Sequence, residues 1–306
     1  MAVYIIISVV ALTVLLFASD WFIDAAEKIG LSFGISPFII GVTIVAFGTS
    51  LPELATSIAS VYSGDSEIVV GNVVGSNITN ILLVLGLTAF MGSKDIELNF
   101  NIWNIDMPLL IGSALLMYFT LWDQSFGTLE ASIFILALAA FLFNSVKGSK
   151  DESIERTPVK IPDIVKLIAG GVLVYFGAEY TIYGITEVAE QTEIAPEFFS
   201  LSFIAIGTSL PEVVVSIAAA RRGKHAIAVG NVLGSNIFNT YAVMSIPSFM
   251  GELVIPDTIL TMGLPFMLGA TILFGVITVS SKISKWEGAL LLSFYVFYMA
   301  ELYKTI

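Results

Sequence analysis

The chain has 306 residues, 57% hydrophobic and 12% charged, with a formal net charge of −12 and a mean hydropathy of +0.93. That composition belongs to an integral membrane protein rather than a water-soluble domain. The acidic balance and the lack of a basic aromatic patch exclude nucleic acid as a partner. Zero Cys excludes disulfides, thiolate metal sites and Cys catalysis.

Apolar runs near the ~20 residues that cross a bilayer as helix recur near 2–18, 36–64, 69–92, 103–121, 128–146, 164–190, 196–219, 228–250, 258–279 and 287–303. They predict an all-α membrane protein of ten transmembrane helices. A first five-helix repeat covers 1–146, a polar linker 147–163, and a second five-helix repeat 164–306. The alternation of an outer-membrane barrel is absent. Residues 1–4 carry no basic n-region, so the first run reads as a retained span and not as a cleaved leader.

Charge placement predicts the orientation. Alternate loops hold Lys28; Lys94; Lys147, Lys150, Arg156, Lys160 and Lys166; Arg221, Arg222 and Lys224; and Lys282 and Lys285, leaving Lys304 alone on the other side. By the positive-inside rule, both termini lie outside the cell membrane and the linker is cytoplasmic. Five helices per half is an odd number, so the two repeats are inverted. That is an architecture of secondary transporters, which bind substrate near the midplane at the repeat interface.

Two polar motifs interrupt the apolar runs, and each occurs twice. Gly48-Thr49-Ser50-Leu51-Pro52-Glu53 returns as Gly207-Thr208-Ser209-Leu210-Pro211-Glu212. Gly71-Asn72-Val73-Val74-Gly75-Ser76-Asn77-Ile78-Thr79-Asn80 returns as Gly230-Asn231-Val232-Leu233-Gly234-Ser235-Asn236-Ile237-Phe238-Asn239. The offset is 159 residues throughout, as for Glu53 and Glu212, so the halves are repeats without net insertion between the motifs.

Pro52 and Pro211 offer no N–H to the carbonyls of Gly48 and Gly207, so broken or kinked helices are expected at the midplane. Freed carbonyls around Ala46–Thr49 and Ala205–Thr208 are tolerated there when they line a cavity or coordinate a cation. Thr49, Ser50 and Glu53, with Thr208, Ser209 and Glu212, add hydroxyl and carboxylate oxygens. A kink mended by Ser/Thr accounts for one such copy, but two copies that each carry a mid-span Glu point to a functional site. In the second motif Asn72, Ser76 and Asn80 fall at i, i+4, i+8 and form one helical stripe, as do Asn231, Ser235 and Asn239. The glycines between them permit close helix packing.

Hard oxygens without His, Cys or a basic partner select Ca²⁺ or Na⁺, with Mg²⁺ a poorer third because it demands near-octahedral geometry. Glu53 and Glu212 give the site a formal charge of −2 with no Lys or Arg inside the predicted spans to offset it, Lys166 lying at the very end of one, so cations or protons must compensate. Na⁺ and Ca²⁺ are close in size, and competition for one cage is the physical basis of exchange.

The paired motifs resemble the two α-repeats of the sodium/calcium exchanger family, within the cation/Ca²⁺ antiporters, in a compact prokaryotic form. The resemblance spans essentially the whole chain. It implies a Na⁺/Ca²⁺ antiporter working by alternating access, with Ca²⁺ and Na⁺ as substrates, no cofactor, the lipid bilayer as surroundings and function as a monomer. It further implies that Glu53 and Glu212 are shared Ca²⁺/Na⁺ ligands and that the Thr49 and Thr208 carbonyls complete the Ca²⁺ site. Ser50 and Ser76 with the Ala46 carbonyl would line one outer Na⁺ site. Ser209 and Ser235 with the Ala205 carbonyl would line the other, and Asn80 and Asn239 would border the centre. Some relatives, including K⁺-carrying ones, place Asp where this chain has Asn239. The amide weakens the case for K⁺ co-transport, and the proton-coupled relatives use a different acidic motif.

Other readings remain as alternatives: an H⁺/Ca²⁺ or K⁺-dependent exchanger, a cation channel, or an intramembrane hydrolase using Ser50 or Ser209. The hydrolase lacks a base, since the only His, His225, is expected to be solvated at the cytoplasmic surface. The channel lacks the symmetric subunits that usually surround a pore.

Overall fold

The computed structural model describes residues 1–92, 94–98, 100, 102–148, 158–190 and 207–305. These form ten helical stretches once breaks without an intervening loop are joined. They are α1 (Ala2–Ser32), α2 (Pro37–Ser63), α3 (Glu67–Met91), α4 (Asp106–Thr120), α5 (Thr128–Gly148) and α6 (Ile161–Glu190). Then come α7 (Leu210–Arg221), α8 (His225–Phe238, extended through Ser248), α9 (Ile259–Thr278) and α10 (Lys285–Thr305). Six of them, α1, α2, α3, α5, α6 and α9, are long and apolar enough to cross a membrane.

The first helix departs from the sequence expectation. It runs to Ser32 instead of ending near residue 18. The sequence suggested an early end because Asp20, Asp24, Glu27 and Lys28 interrupt the apolar run. In the fold those charges are partnered: Arg222 meets Asp20 at 3.2 Å and Asp24 at 2.6 Å, and Lys224 meets Asp24 at 2.6 Å and Glu27 at 2.8 Å. Hydrogen bonding to Asp24 raises the Arg222 pKa above its ordinary value.

α1 and α6 lie antiparallel along a seam of small residues. Ser8 Oγ donates to the Thr181 carbonyl at 3.3 Å. At Gly184 a Cβ would fall 2.6 Å from the Tyr4 carbonyl, so the backbones approach more closely there than any side chain allows. Leu15, Ala18, Phe22 and Ile23 of α1 join Val174 and Ala178 of α6 and Val215 of α7 in one hydrophobic cluster. The opposite face of α1, with Val3, Ile6, Val9 and Phe17, is exposed, as suits a lipid-facing wall.

A second, larger cluster is built on α3, α4, α8 and α9. From Val69 to Thr79, α3 is buried almost all round. A helix apolar on every side belongs inside a protein or a membrane, so its Asn and Ser residues are enclosed with it.

The loops sort onto two faces as the charge pattern predicts. Ile96–Glu97 pairs antiparallel with Lys282–Ile283, joining the α3–α4 and α9–α10 loops. Glu97 N donates to His225 Nδ1 at 3.3 Å, and Lys28 meets Asp163 at 3.5 Å. With the Arg222 and Lys224 pairs, these contacts bring together the α3–α4, α7–α8 and α9–α10 loops, the C-terminal end of α1 and the N-terminal end of α6. His225 is thus bonded to a neighbouring loop rather than merely solvated. On the other face, Val254 N donates to Ser66 Oγ at 3.1 Å and Gln124 Nε2 to Asp257 Oδ1 at 2.5 Å, uniting the α2–α3, α4–α5 and α8–α9 loops. Most of the 147–163 linker lies outside the described residues.

Candidate functional site

The two Pro-containing motifs bend alike. Ser50 takes φ −87°, ψ 7° and Ser209 takes φ −82°, ψ 4°, each just before a helix that carries Pro in its first turn and then the Glu. The bend aims Glu53 of α2 and Glu212 of α7 into the interior, where both are fully buried. Ala46, Thr49 and Ser50 lie on the preceding turn of α2, and Thr208 and Ser209 lead into α7. Ala205 is outside the described residues.

The Ala46 carbonyl is not bare. Ser50 N donates to it at 3.0 Å and Thr49 Oγ1 lies 3.3 Å from it. Pro52 therefore frees the Gly48 carbonyl without unwinding the turn before it.

α3 and α8 supply the facing walls. Asn72, Ser76, Asn80, Asn231, Ser235 and Asn239 are all buried. Both stripes end in a π-helical turn, Asn80–Leu85 on α3 and Asn239–Val243 on α8. Such turns recur at functional sites because they rotate side chains out of the regular ladder. The turn that begins at Asn80 packs against α7 and the turn that begins at Asn239 against the second half of α2, in each case the Glu-bearing helix of the opposite repeat.

Hydrogen bonds cross between the repeats in matched pairs. Thr49 Oγ1 donates to Asn231 Oδ1 at 3.1 Å, and Thr208 Oγ1 donates to Asn72 Oδ1 at 3.3 Å. Thr49 Oγ1 and Ser235 Oγ lie 3.3 Å apart, and Ser76 Oγ and Thr208 Oγ1 3.4 Å apart. Each pair maps onto its counterpart by the 159-residue offset read from the sequence. The two halves are therefore related about an axis through this cluster.

The carboxylates break that symmetry. Glu212 Oε1 accepts from Ser50 Oγ at 3.1 Å and Ser235 Oγ at 3.3 Å. Among the described residues, both Glu53 carboxylate oxygens, Glu212 Oε2, Ser209 Oγ and the amide atoms of Asn80 and Asn239 are buried without a hydrogen-bond partner. Unpartnered buried oxygens cost free energy unless something else satisfies them, and a cation does so for carboxylate and amide oxygens alike. Among the described residues no three or more His, Cys, Asp or Glu gather as a metal-binding group. The donor set is two carboxylates with neutral hydroxyl, amide and carbonyl oxygens, suited to hard cations.

Sequence reasoning missed two partners. Asn72 Nδ2 donates to Ser57 Oγ at 3.1 Å and to the Glu53 carbonyl at 3.1 Å, while Asn231 Nδ2 donates to Ser216 Oγ at 3.0 Å. Ser57 and Ser216 each follow a motif Glu by four residues and obey the same offset, which was the available signal.

Two inverted helical repeats enclosing an anionic, oxygen-only cluster define a secondary transporter of cations. The sodium/calcium exchanger protein family model matches residues 3–147 and 163–304, and the chain belongs to that family. It is 30% identical over 346 residues to the sodium/calcium exchanger MaX1 of Methanosarcina acetivorans, covering 97% of this chain and 98% of that one. It is also 32% identical over 295 residues to a membrane protein of Methanocaldococcus jannaschii, covering 95% of each. A solved structure of the sodium-calcium exchanger NCX_Mj, soaked with Na⁺ and Sr²⁺, superposes with a TM-score of 0.87 at 30% identity, over 98% of this chain and 99% of that one. The protein is a multi-pass membrane cation/Ca²⁺ antiporter, and a transporter rather than an enzyme.

Proposed function

We propose that this antiporter couples Na⁺ entry into the cluster to Ca²⁺ release, by alternating access at the Glu53/Glu212 site. The observation that carries this reading is the pair of fully buried carboxylates with three of their four oxygens unpartnered among the described residues. Glu53 and Glu212 would serve Ca²⁺ and Na⁺ in turn, with the Thr49 and Thr208 carbonyls completing the Ca²⁺ cage. Ser50, Ser76 and the Ala46 carbonyl would hold one Na⁺, and Ser209, Ser235 and the Ala205 carbonyl a second. Asn80 and Asn239 would close the centre as neutral amides.

The electrostatics favour exchange over simple permeation. A site of formal charge −2 in low dielectric is costly to leave uncompensated, so one cation charge set must replace another before the site turns over. The division of the core into an α1–α6 cluster and a larger α3–α8 cluster offers two bodies that can move against each other around a fixed site. Asn239, an amide and not a third carboxylate, keeps the charge at −2 and favours Na⁺ without K⁺. By the positive-inside rule the face with the five basic connections is cytoplasmic and both termini are outside. Both halves of the cluster come from one chain, so the monomer suffices.

The test is ⁴⁵Ca²⁺ uptake into proteoliposomes loaded with Na⁺ and diluted into Na⁺-free medium. Uptake should require internal Na⁺ and proceed without K⁺. Uptake driven by a pH gradient in the absence of Na⁺ would overturn Na⁺ coupling and leave a proton-coupled exchanger.

A further inference from the structure

Ser57 and Ser216 lie outside the proposed cage, yet each anchors an amide that reaches across to the other repeat. The Asn72 amide is oriented without ambiguity. The Glu53 carbonyl, 3.1 Å from one end, can only accept, so that end is the NH₂ and Oδ1 points the other way, to Thr208 and Ser76. Asn231 makes the matching pair of contacts, with Nδ2 on Ser216 and Oδ1 on Thr49.

Thr49 has one hydroxyl proton, and beside the Ser235 hydroxyl and the Glu212 carboxylate it faces two neutral oxygens that can only accept it. The Asn231 Oδ1 lies at 3.1 Å and the Ala46 carbonyl at 3.3 Å. Where the proton goes decides what the Ala46 carbonyl can do. That carbonyl already accepts from Ser50 N, leaving one lone pair. If Thr49 donates to Ala46, that lone pair is consumed. If Thr49 donates to Asn231, the lone pair is available to a cation. The choice depends on Asn231 Oδ1 staying in place, which depends on the bond from its NH₂ to Ser216.

We infer that Ser216, through Asn231, and Ser57, through Asn72, are positioning residues that draw the Thr49 and Thr208 hydroxyl protons onto the two amides, and that the Ser216 device thereby keeps the Ala46 carbonyl free to ligate Na⁺. The inference deepens the proposed function and rests on it. The devices are unequal. Asn72 retains a second anchor in the Glu53 carbonyl, whereas among the described residues Asn231 Nδ2 is bonded to Ser216 alone. Loss of Ser216 should therefore matter more than loss of Ser57, and Na⁺ should suffer more than Ca²⁺, since Ala46 belongs to the Na⁺ site.

The experiment measures ⁴⁵Ca²⁺ binding to the purified full chain in detergent, and the Na⁺ concentration that displaces half of the bound Ca²⁺. Partners one shell beyond a metal ligand change affinity about 10–100-fold. Ser216→Ala should raise the half-displacing Na⁺ concentration about tenfold while shifting the Ca²⁺ Kd less than about threefold. Ser57→Ala should give a smaller shift of the same kind, and Ser216→Thr, which keeps the hydroxyl, should behave as the parent. If Ser216→Ala does not yield folded protein, Ser216→Cys, similar in size with a weak acceptor, carries the same test. Na⁺ and Ca²⁺ affinities that fall together, or that both stay put, would overturn the inference, because a purely structural serine has no means of separating them. A parent protein whose bound Ca²⁺ resists Na⁺ altogether would instead sink the Na⁺/Ca²⁺ reading on which the inference stands.

Discussion

Replacing Glu212 by Gln removes one of the site's two charges and almost none of its shape. Ser50 and Ser235 donate to Oε1 at 3.1 and 3.3 Å, and an amide oxygen there accepts both bonds. The amide nitrogen takes the place of Oε2, which has no hydrogen-bond partner among the described residues, and turns N–H groups toward the cation. Removing one partner of a buried charge pair costs about 3–5 kcal/mol. At about 1.4 kcal/mol per tenfold, Ca²⁺ binding should weaken about 10²- to 10⁴-fold and flux should vanish at ordinary Ca²⁺ concentrations. Without Ca²⁺ the sign reverses. The parent then holds two buried like charges, so Glu212→Gln should melt no lower than the parent in a chelator. Paired measurements of ⁴⁵Ca²⁺ flux and of thermal melting with and without Ca²⁺ test both halves of the argument. A purified variant that keeps parental flux, or that melts lower in chelator yet gains parental stabilisation from Ca²⁺, would refute the assignment. Glu53→Gln is expected to behave likewise.

Asn239→Asp adds a carboxylate beside two others, and three like charges in one buried cluster resist joint ionisation. Its transport should become more sensitive to acid or to K⁺ than the parent's; unchanged pH and K⁺ profiles in a folded variant would place this side chain outside the cation cluster. Gly234→Ala probes the packing of α8 on α2. A Cβ there would lie 2.2 Å from the Val42 carbonyl and 2.7 Å from the Ala46 Cβ, forcing the helices apart by about 1 Å at a cost of about 1–3 kcal/mol. Both a lower melting temperature and weaker Ca²⁺ binding should follow, because Ala46 sits at the point of contact; parental melting would show that the close approach is not made.

Much of this protein was legible in one dimension. A bilayer requires long apolar runs, so their recurrence announced the membrane class. A Glu or Asn inside such a run is costly enough to be conspicuous, which is why Glu53, Glu212 and the two Asn/Ser stripes could be picked out by type and spacing. The 159-residue offset then related them in pairs. The matched bonds Thr49–Asn231 and Thr208–Asn72 show the offset acting in space. The sorting of basic loops onto one face followed from parity alone, since each added helix reverses the side.

Tertiary structure decided which partner each polar group found. Asp20, Asp24 and Glu27 read as the end of a helix until Arg222 and Lys224, about two hundred positions on, met them and let α1 continue to Ser32. The Ala46 carbonyl looked bare in the sequence, yet it accepts from Ser50 N and lies within reach of Thr49. The repeats are equivalent as strings but not as structures: the Glu212 carboxylate is held by two serines, while neither Glu53 carboxylate oxygen meets the same hydrogen-bond distance and angle among the described residues. Ser57 and Ser216 were marked in the sequence only by the shared offset, and their role showed once Asn72 and Asn231 were seen to rest on them. Apolar periodicity and the cost of burying charge act on each segment locally, so sequence carries them. Hydrogen-bond pairing depends on how two distant segments are placed against each other to within a few tenths of an ångström, and only the folded chain sets that.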